Sequence, residues 1–260
     1  MFYHNINPVF FHLGSIQIRY YGLVYFLGFV FFYFYLRHYV KKGKIKNLNY
    51  DSLDTFMIWF IIGGILGARI FEFLFYLPST LLTNPLEFFM IWHGGMSIHG
   101  GIAGGMLAAY LFTKKHKINF YKLADLAAIP LLFFLAIGRL ANFVNGELWG
   151  TISNNTTTCI DYTKSQFINN APDGCRHPYQ IYASLKNFVV AISLIFIKQY
   201  SKLKDGLLFW WAMLLYNALR FLVDFVREEP NFLGITMGQS LCLIFSIISL
   251  YFIITLSKKK

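Results

Sequence analysis

Residues 138–150 place a guanidinium (Arg139), two carboxamides (Asn142 and Asn145), a carboxylate (Glu147) and an indole (Trp149) at the end of an apolar run that begins near Leu123. A guanidinium drawn into a membrane boundary costs about 2.5–3.5 kcal/mol at a helix centre, so a partner is expected to compensate for it. Arginine binds phosphate through two parallel hydrogen bonds, which makes an anionic lipid phosphate a natural partner. The plainer alternative is that Arg139 snorkels to the interface as an anchor. A second set, Tyr216, Arg220 and Asp224, recurs every four residues and so lies on one helical face. Further along the chain, His99 stands in the glycine-rich stretch 94–101, and Arg69 and Glu72 close another apolar run. Two arginines suit a phosphate monoanion or diester, and a histidine with carboxylates nearby can move a proton. Neither a Ser-His-Asp set, a Walker loop, an HExxH motif nor Cys/His metal spacing occurs in the sequence. The residues alone therefore point to an enzyme or carrier acting on an anionic lipid headgroup.

The elements that must position these groups are apolar helices. The 260 residues are 57% hydrophobic and only 13% charged, about half the charged share of a soluble domain. Seven stretches are long enough to span a bilayer, near 18–40, 52–77, 96–113, 123–145, 178–197, 206–227 and 235–256. The fold class expected is thus an all-α integral membrane protein, one transmembrane domain over 1–260. A short surface segment, 1–17, precedes the first span and lacks the basic start and small-residue cleavage site of a signal peptide.

The net charge of +11 is concentrated at the ends of these runs, around 37–46, 114–122, 198–204 and 258–260. All four clusters fall on the cytoplasmic side if the N-terminus is outside and the C-terminus inside. Basicity then orients the protein, and no nucleic-acid partner is expected. The outer segments become 1–17, 78–95, 146–177 and 228–234, of which 146–177 is long and polar enough to form an extracytoplasmic loop or small cap between the fourth and fifth spans. Cys159 and Cys175 share that loop and are able to pair in an oxidising compartment, a question the spacing leaves open, while Cys242 sits in an apolar run.

On this topology Tyr21, His99, Arg139, Asn142, Glu147, Tyr216, Arg220 and Asp224 gather near one depth, the outer leaflet. Scattered anchors have no reason to favour one side. Each member has a plainer role: Arg220 with Asp224 as an internal i, i+4 pair, the tyrosines as an interfacial belt, His99 as packing, and Arg69 beside Glu72 as a pair. The glycines at 94–95, 100–101 and 104–105 let helices approach, or expose backbone N–H groups to an anion.

In motif order the chain resembles the prolipoprotein diacylglyceryl transferase family. The resemblance runs through Ile18-Arg19-Tyr20-Tyr21-Gly22-Leu23, Gly67-Ala68-Arg69, Trp92 with Gly94-Gly95-Met96-Ser97-Ile98-His99-Gly100-Gly101, and the segment 138–150. It continues through His177-Pro178 with Gln180-Ile181-Tyr182, Tyr216 with Arg220-Phe221, and Met237-Gly238-Gln239. What the resemblance implies is transfer of a diacylglyceryl group from phosphatidylglycerol to the lipobox cysteine thiol of a prolipoprotein, releasing glycerol phosphate, at the bacterial inner membrane. Arg139 and Arg220 would hold the phosphate and His99 would be a candidate base for the thiol. Tyr21, Asn142, Glu147 and Tyr216 would order the pocket, with Asp224, Gly94 and Gly95 among the substrate-binding groups. Neither a metal nor a soluble cofactor is implied, and a site built from one chain is compatible with a monomer. The chain departs from the family pattern at Asp224 (often Glu), Ala141 (usually Gly), His93 (usually acidic) and Ala183 (frequently Glu).

Two rivals predict different sequences. A transporter needs polar lining across the membrane, yet 126–137 and 207–215 contain no ionisable residue. A seven-helix receptor gives no reason for arginine, histidine and carboxylates to share one depth.

Overall fold

Three short strands, β1 (Phe2–Tyr3), β2 (Val9–Leu13) and β3 (Ile16–Arg19), lead into the first long helix, α1 (Tyr20–Lys41). There follow α2 (Tyr50–Phe71), a π-helical turn at Glu72–Tyr76, the short α3 (Pro78–Thr83), α4 (Ile98–Lys115) and α5 (Phe120–Asn145). The strands β4 (Ile160–Asp161) and β5 (Cys175–Arg176) precede α6 (Tyr179–Tyr200) and α7 (Leu207–Val223), and β6 (Asn231–Phe232) and β7 (Ile235–Thr236) precede α8 (Met237–Lys258). The computed structural model describes residues 1–14, 16–91, 94–232 and 234–258, with the backbone alone for Ile16, Ile98, His99, Asn231 and Phe232. Trp92, His93, the His99 side chain and the last two lysines of the C-terminal cluster lie outside the described residues.

Among the described residues, six helices are long and apolar enough to cross a membrane, with the π turn extending the second and a 3-10 turn the fifth. The seventh expected span, 96–113, corresponds to α4, whose 18 residues include four glycines and end in Lys114 and Lys115, which leaves it less apolar than the six. Phe26, Phe34, Ile247 and Tyr251 are each more than half exposed on α1 and α8, a placement that suits hydrocarbon as the surrounding solvent. The mostly helical chain is as expected, and the seven small strands among the described residues all lie outside the long helices.

Packing divides the described chain into two compact units, 33–123 and 1–32 with 124–260. In the first, α2 and α4 meet glycine to glycine. A Cβ on Gly67 would stand 2.7 Å from the Gly104 Cα, and one on Gly104 would stand 2.8 Å from the Gly67 Cα. Only residues without side chains permit that approach, which puts dispersion and backbone dipoles in place of the hydrophobic effect that lipid does not supply. Asn49 starts α2 by exchanging hydrogen bonds with Ser52, each 2.8 Å.

In the second unit α5, α6 and α7 share a core of Ala128, Leu132, Val190, Ala191, Leu194, Leu208 and Ala212. Ser184 Oγ donates to the Ala136 carbonyl at 2.9 Å, satisfying a buried hydroxyl between α6 and α5. The Asp125 carboxylate accepts from the Gly206 and Phe209 amides, both 2.7 Å, and so closes the start of α7 from a neighbouring helix. At α8 the cap is reciprocal: Thr236 N–H donates to Gln239 and Gln239 N–H donates to the Thr236 hydroxyl.

The N-terminal residues do more than rest on the surface. β1 pairs in parallel with β4, and β4 pairs antiparallel with β5, so residues 1–4 and the 146–177 loop form one small cap. Cys159 and Cys175, whose pairing was open from sequence, are disulfide-bonded with their Cα atoms 5.5 Å apart. The cap has its own interior of His4, Cys159, Ile160 and Tyr162. His4 Nε2 is 2.7 Å from the Phe143 carbonyl at the end of α5, and burial lowers its pKa from 6.5. Burial also pushes the Tyr162 phenol up to about 12, whereas the Thr163 hydroxyl bonded to Asp161 lowers that carboxyl.

Candidate active site

The end of α5 turns on Gly146, whose φ of +65° is open to glycine at little cost. Its N–H bonds to the Phe143 carbonyl at 3.0 Å and that of Glu147 to the Asn142 carbonyl at 3.1 Å, the two bonds of a Schellman helix end. That reversal carries Glu147 back along the helix. Its Oε1 accepts from Asn142 Nδ2 at 2.8 Å and from Asn145 Nδ2 at 3.3 Å, while Arg139 Nη1 donates to Asn142 Oδ1 at 3.4 Å. Arg139, Asn142 and Glu147 are thus one hydrogen-bonded series. Tyr21 Oη donates to Tyr25 Oη at 3.0 Å and lies close enough for the charges of Arg139 and Glu147 to act on it.

Along α7 the four-residue spacing becomes a ladder. Arg220 Nη1 donates to Tyr216 Oη at 3.3 Å and Arg220 Nε to Asp224 Oδ2 at 3.2 Å. Tyr179, the first residue of α6, donates its hydroxyl to Asp224 Oδ1 at 2.7 Å. Asp224 is 1% exposed. Both of its oxygens are occupied inside the protein, which makes it the counter-ion and holder of Arg220.

Arg139, Lys186, Tyr216, Arg220 and Asp224 line one cavity between α5, α6 and α7, a space of about 10 Å³ that would admit roughly one water as the side chains stand. Three cations face it against one carboxylate. Near the site acidic side chains are paired as Arg176–Glu228, Arg220–Asp224 and Arg227–Glu229, and no ion pair among the described residues involves Arg139 or Lys186. Clustered positive charge of this kind needs an anion.

The cap fastens the cavity's rim. Gln180, fully buried, donates to the Glu147 carbonyl at 2.7 Å and to Tyr162 Oη at 3.1 Å. Thr151 N–H bonds to the Val226 carbonyl and Glu228 N–H to that of Trp149, joining the exits of α5 and α7. Arg176 donates to the Gly150 carbonyl and to Glu228.

The other unit contains Arg69, Gly94, Gly95 and His99. Arg69 donates to the carbonyls of Phe88 (2.8 Å), Gly94 (2.5 Å), Gly95 (2.9 Å), Met90 (3.4 Å) and Glu87. These acceptors match the five N–H groups of a guanidinium. The Gly94 N–H bonds to the Ile91 carbonyl, so both backbone polar groups of Gly94 are engaged within the unit. At α4 the N-terminal cap is Ser97, which accepts from Gly100 N–H.

The structure therefore assembles Tyr21, Arg139, Asn142, Glu147, Tyr216, Arg220 and Asp224 within one unit, while Gly94, Gly95 and the His99 backbone belong to the other. Sequence reasoning passed over Lys186 and Tyr179. The signal for Lys186 was there: a lysine eight residues into an apolar run has the same energetic problem as Arg139.

Fold and site together define a multi-pass membrane protein with a buried, cation-lined cavity held by the ends of three helices. Residues 8–255 match the model of the prolipoprotein diacylglyceryl transferase family. A protein of Ehrlichia ruminantium (strain Gardel) named phosphatidylglycerol–prolipoprotein diacylglyceryl transferase is 38% identical over 95% of both chains. Proteins of the same name from Bordetella avium (36% identical, 89% of this chain and 86% of that one) and Geobacter sulfurreducens (34%, 98% and 97%) are similarly related. The chain belongs to the prolipoprotein diacylglyceryl transferase family.

Proposed function

We infer that this chain transfers the diacylglyceryl group of phosphatidylglycerol to the thiol of a prolipoprotein cysteine, the first step of lipoprotein maturation. Family membership supports the activity. The observation that carries the site is the cavity in which Arg139 has no carboxylate partner among the described residues and Arg220 is aimed by Asp224 and Tyr179. Arg139 and Arg220 hold the lipid phosphate, and Asn142 and Glu147 set the orientation of Arg139. The thiolate attacks the glyceryl carbon that bears the phosphate oxygen. A sulfur–carbon bond forms, the carbon–oxygen bond breaks, and its electron pair leaves on glycerol phosphate, where the arginines stabilise the added charge. His99 is the proposed acceptor of the thiol proton, and Tyr21 and Tyr216 shape the pocket. Gly94 and Gly95 serve mainly to anchor Arg69.

In the same reading α4 is a seventh span, supported by its glycine-to-glycine packing on α2. The four basic clusters put the C-terminus in the cytoplasm, and the cap formed by 146–177 with residues 1–4, together with its disulfide, stands outside the inner membrane. The acceptor is a lipobox cysteine, and the enzyme works as a monomer without nucleic acid. A carrier is disfavoured because the same three helices continue from the cavity into the packed apolar core around Leu132, Leu194 and Leu208.

The test is purified protein with phosphatidylglycerol and a one-cysteine lipobox peptide, read by mass spectrometry. A diacylglyceryl thioether that requires both phosphatidylglycerol and the cysteine is the expected product. Its absence from folded, lipid-binding protein would overturn the activity. His99→Gln should slow transfer and alter its pH profile; an unchanged profile moves the proton to another base.

A further inference from the structure

Lys186 lies eight residues into α6, in a helix whose remaining length to Ile197 has no other charged side chain. It is 8% exposed. Its ammonium stands 3.7 Å from the centroid of the Tyr216 ring, the same tyrosine whose hydroxyl accepts from Arg220. The ring face holds a cation by its quadrupole and leaves the ammonium's N–H groups free of any carboxylate recorded among the described residues. Ala183, one turn back and also lining the cavity, contributes no charge. Tyr216 thus keeps two cations side by side, Lys186 on its face and Arg220 at its hydroxyl, with Arg139 across the same space.

We propose that Lys186 is a third phosphate ligand, and that it acts on the departing glycerol phosphate more than on the intact lipid. The proposal rests on the transferase reading. In that reaction a phosphodiester with one negative charge becomes a phosphate monoester whose second ionisation lies near pH 6, so it carries about −1.5 to −2 at neutral pH. The charge added in bond cleavage appears on the bridging oxygen. Arg220 shares its charge with Asp224, so Lys186 joins the two arginines as a cation with no carboxylate of its own to divide its effect on the added charge. A cation whose interaction strengthens as the carbon–oxygen bond breaks raises kcat rather than lowering KM.

A merely structural lysine, tying α6 to α7 through the Tyr216 ring, makes a different prediction. Transfer is measured for the full-length wild type, Lys186→Met and Lys186→Arg, each checked for monodispersity and helix content. Lys186→Met should lower kcat by at least about tenfold with the KM for phosphatidylglycerol changed less than about threefold, and Lys186→Arg should stay within about threefold of wild type. A parallel arm needs no turnover: thermal stabilisation by glycerol phosphate, a monoester, and by its methyl diester. Lys186→Met should weaken binding of the monoester about tenfold and of the diester less than about threefold. A wild-type kcat in Lys186→Met, or equal losses for monoester and diester, overturns the proposal. If Lys186→Met does not fold, Lys186→Gln replaces it in both arms. Absence of transfer in wild type counts against the transferase reading, while the binding arm still decides whether Lys186 is a phosphate ligand.

Discussion

Arg69 and Arg139 are both arginines near the end of an apolar helix, each in its own unit, and their surroundings are opposite. Arg69 directs its N–H groups at five backbone carbonyls of the 87–95 segment and stacks on Phe73, 4.6 Å from the ring centroid to Cζ. Arg139 has one long hydrogen bond to Asn142 and otherwise faces a cavity. The energetic burden of a guanidinium at a membrane boundary is the same for both. In one case the chain's own carbonyls meet it and the arginine becomes a structural clasp. In the other the guanidinium stays open toward the cavity.

The largest effect should come from removing the open guanidinium. Arg139→Ala is expected to reduce thioether formation by about 10²–10³-fold or more, with membrane insertion and helix content preserved. Near-normal transfer would break the contrast. Arg69→Met should show the reverse pattern: loss of charge-assisted bonds to five carbonyls lowers stability by about 3 kcal/mol or more, read as a lower unfolding midpoint in detergent, a loss Arg139→Met does not share. Equal midpoints for the two variants would remove the distinction between clasp and ligand.

Gly104→Ala tests the rigidity of the unit that houses the clasp. The added methyl would meet the backbone of Gly63 and Gly67, so α2 and α4 must part, at about 1–3 kcal/mol; an unchanged midpoint would show that the helices slide freely. The smallest effect concerns the cap. His4 has a lowered folded pKa through burial, so the unfolded cap binds the proton more readily. Its contribution is full above about pH 6.5 and is lost as pH falls below that value. Protection of the amides at residues 1–4, with exchange corrected for its intrinsic base catalysis, should fall as pH drops from 7.5 to 5.5, and His4→Phe should flatten that dependence.

Much of the site was legible because it is local. The four-residue repeat of Tyr216, Arg220 and Asp224 becomes the observed ladder since helical geometry alone aligns it. The turn at Gly146 beside Asn142 is equally local, since glycine reaches positive φ at little cost. Lys186 is harder to read because a single lysine inside a span, away from the ends where polar residues cluster, carries no motif. The second partner of Asp224, Tyr179, lies 45 residues away, beyond any periodic rule.

By itself the sequence determined the apolar helices, the positions where charge interrupts them, and the family motifs, because periodicity and the cost of burying charge act within a helix or a short segment. The tertiary structure decided which arginine is satisfied and which stays open, that Cys159 bonds to Cys175, and that residues 1–4 complete the cap. Those outcomes depend on acceptors and partners brought together from distant parts of the chain. Hydrogen bonding is directional and short-ranged, so only the folded arrangement settles who meets whom.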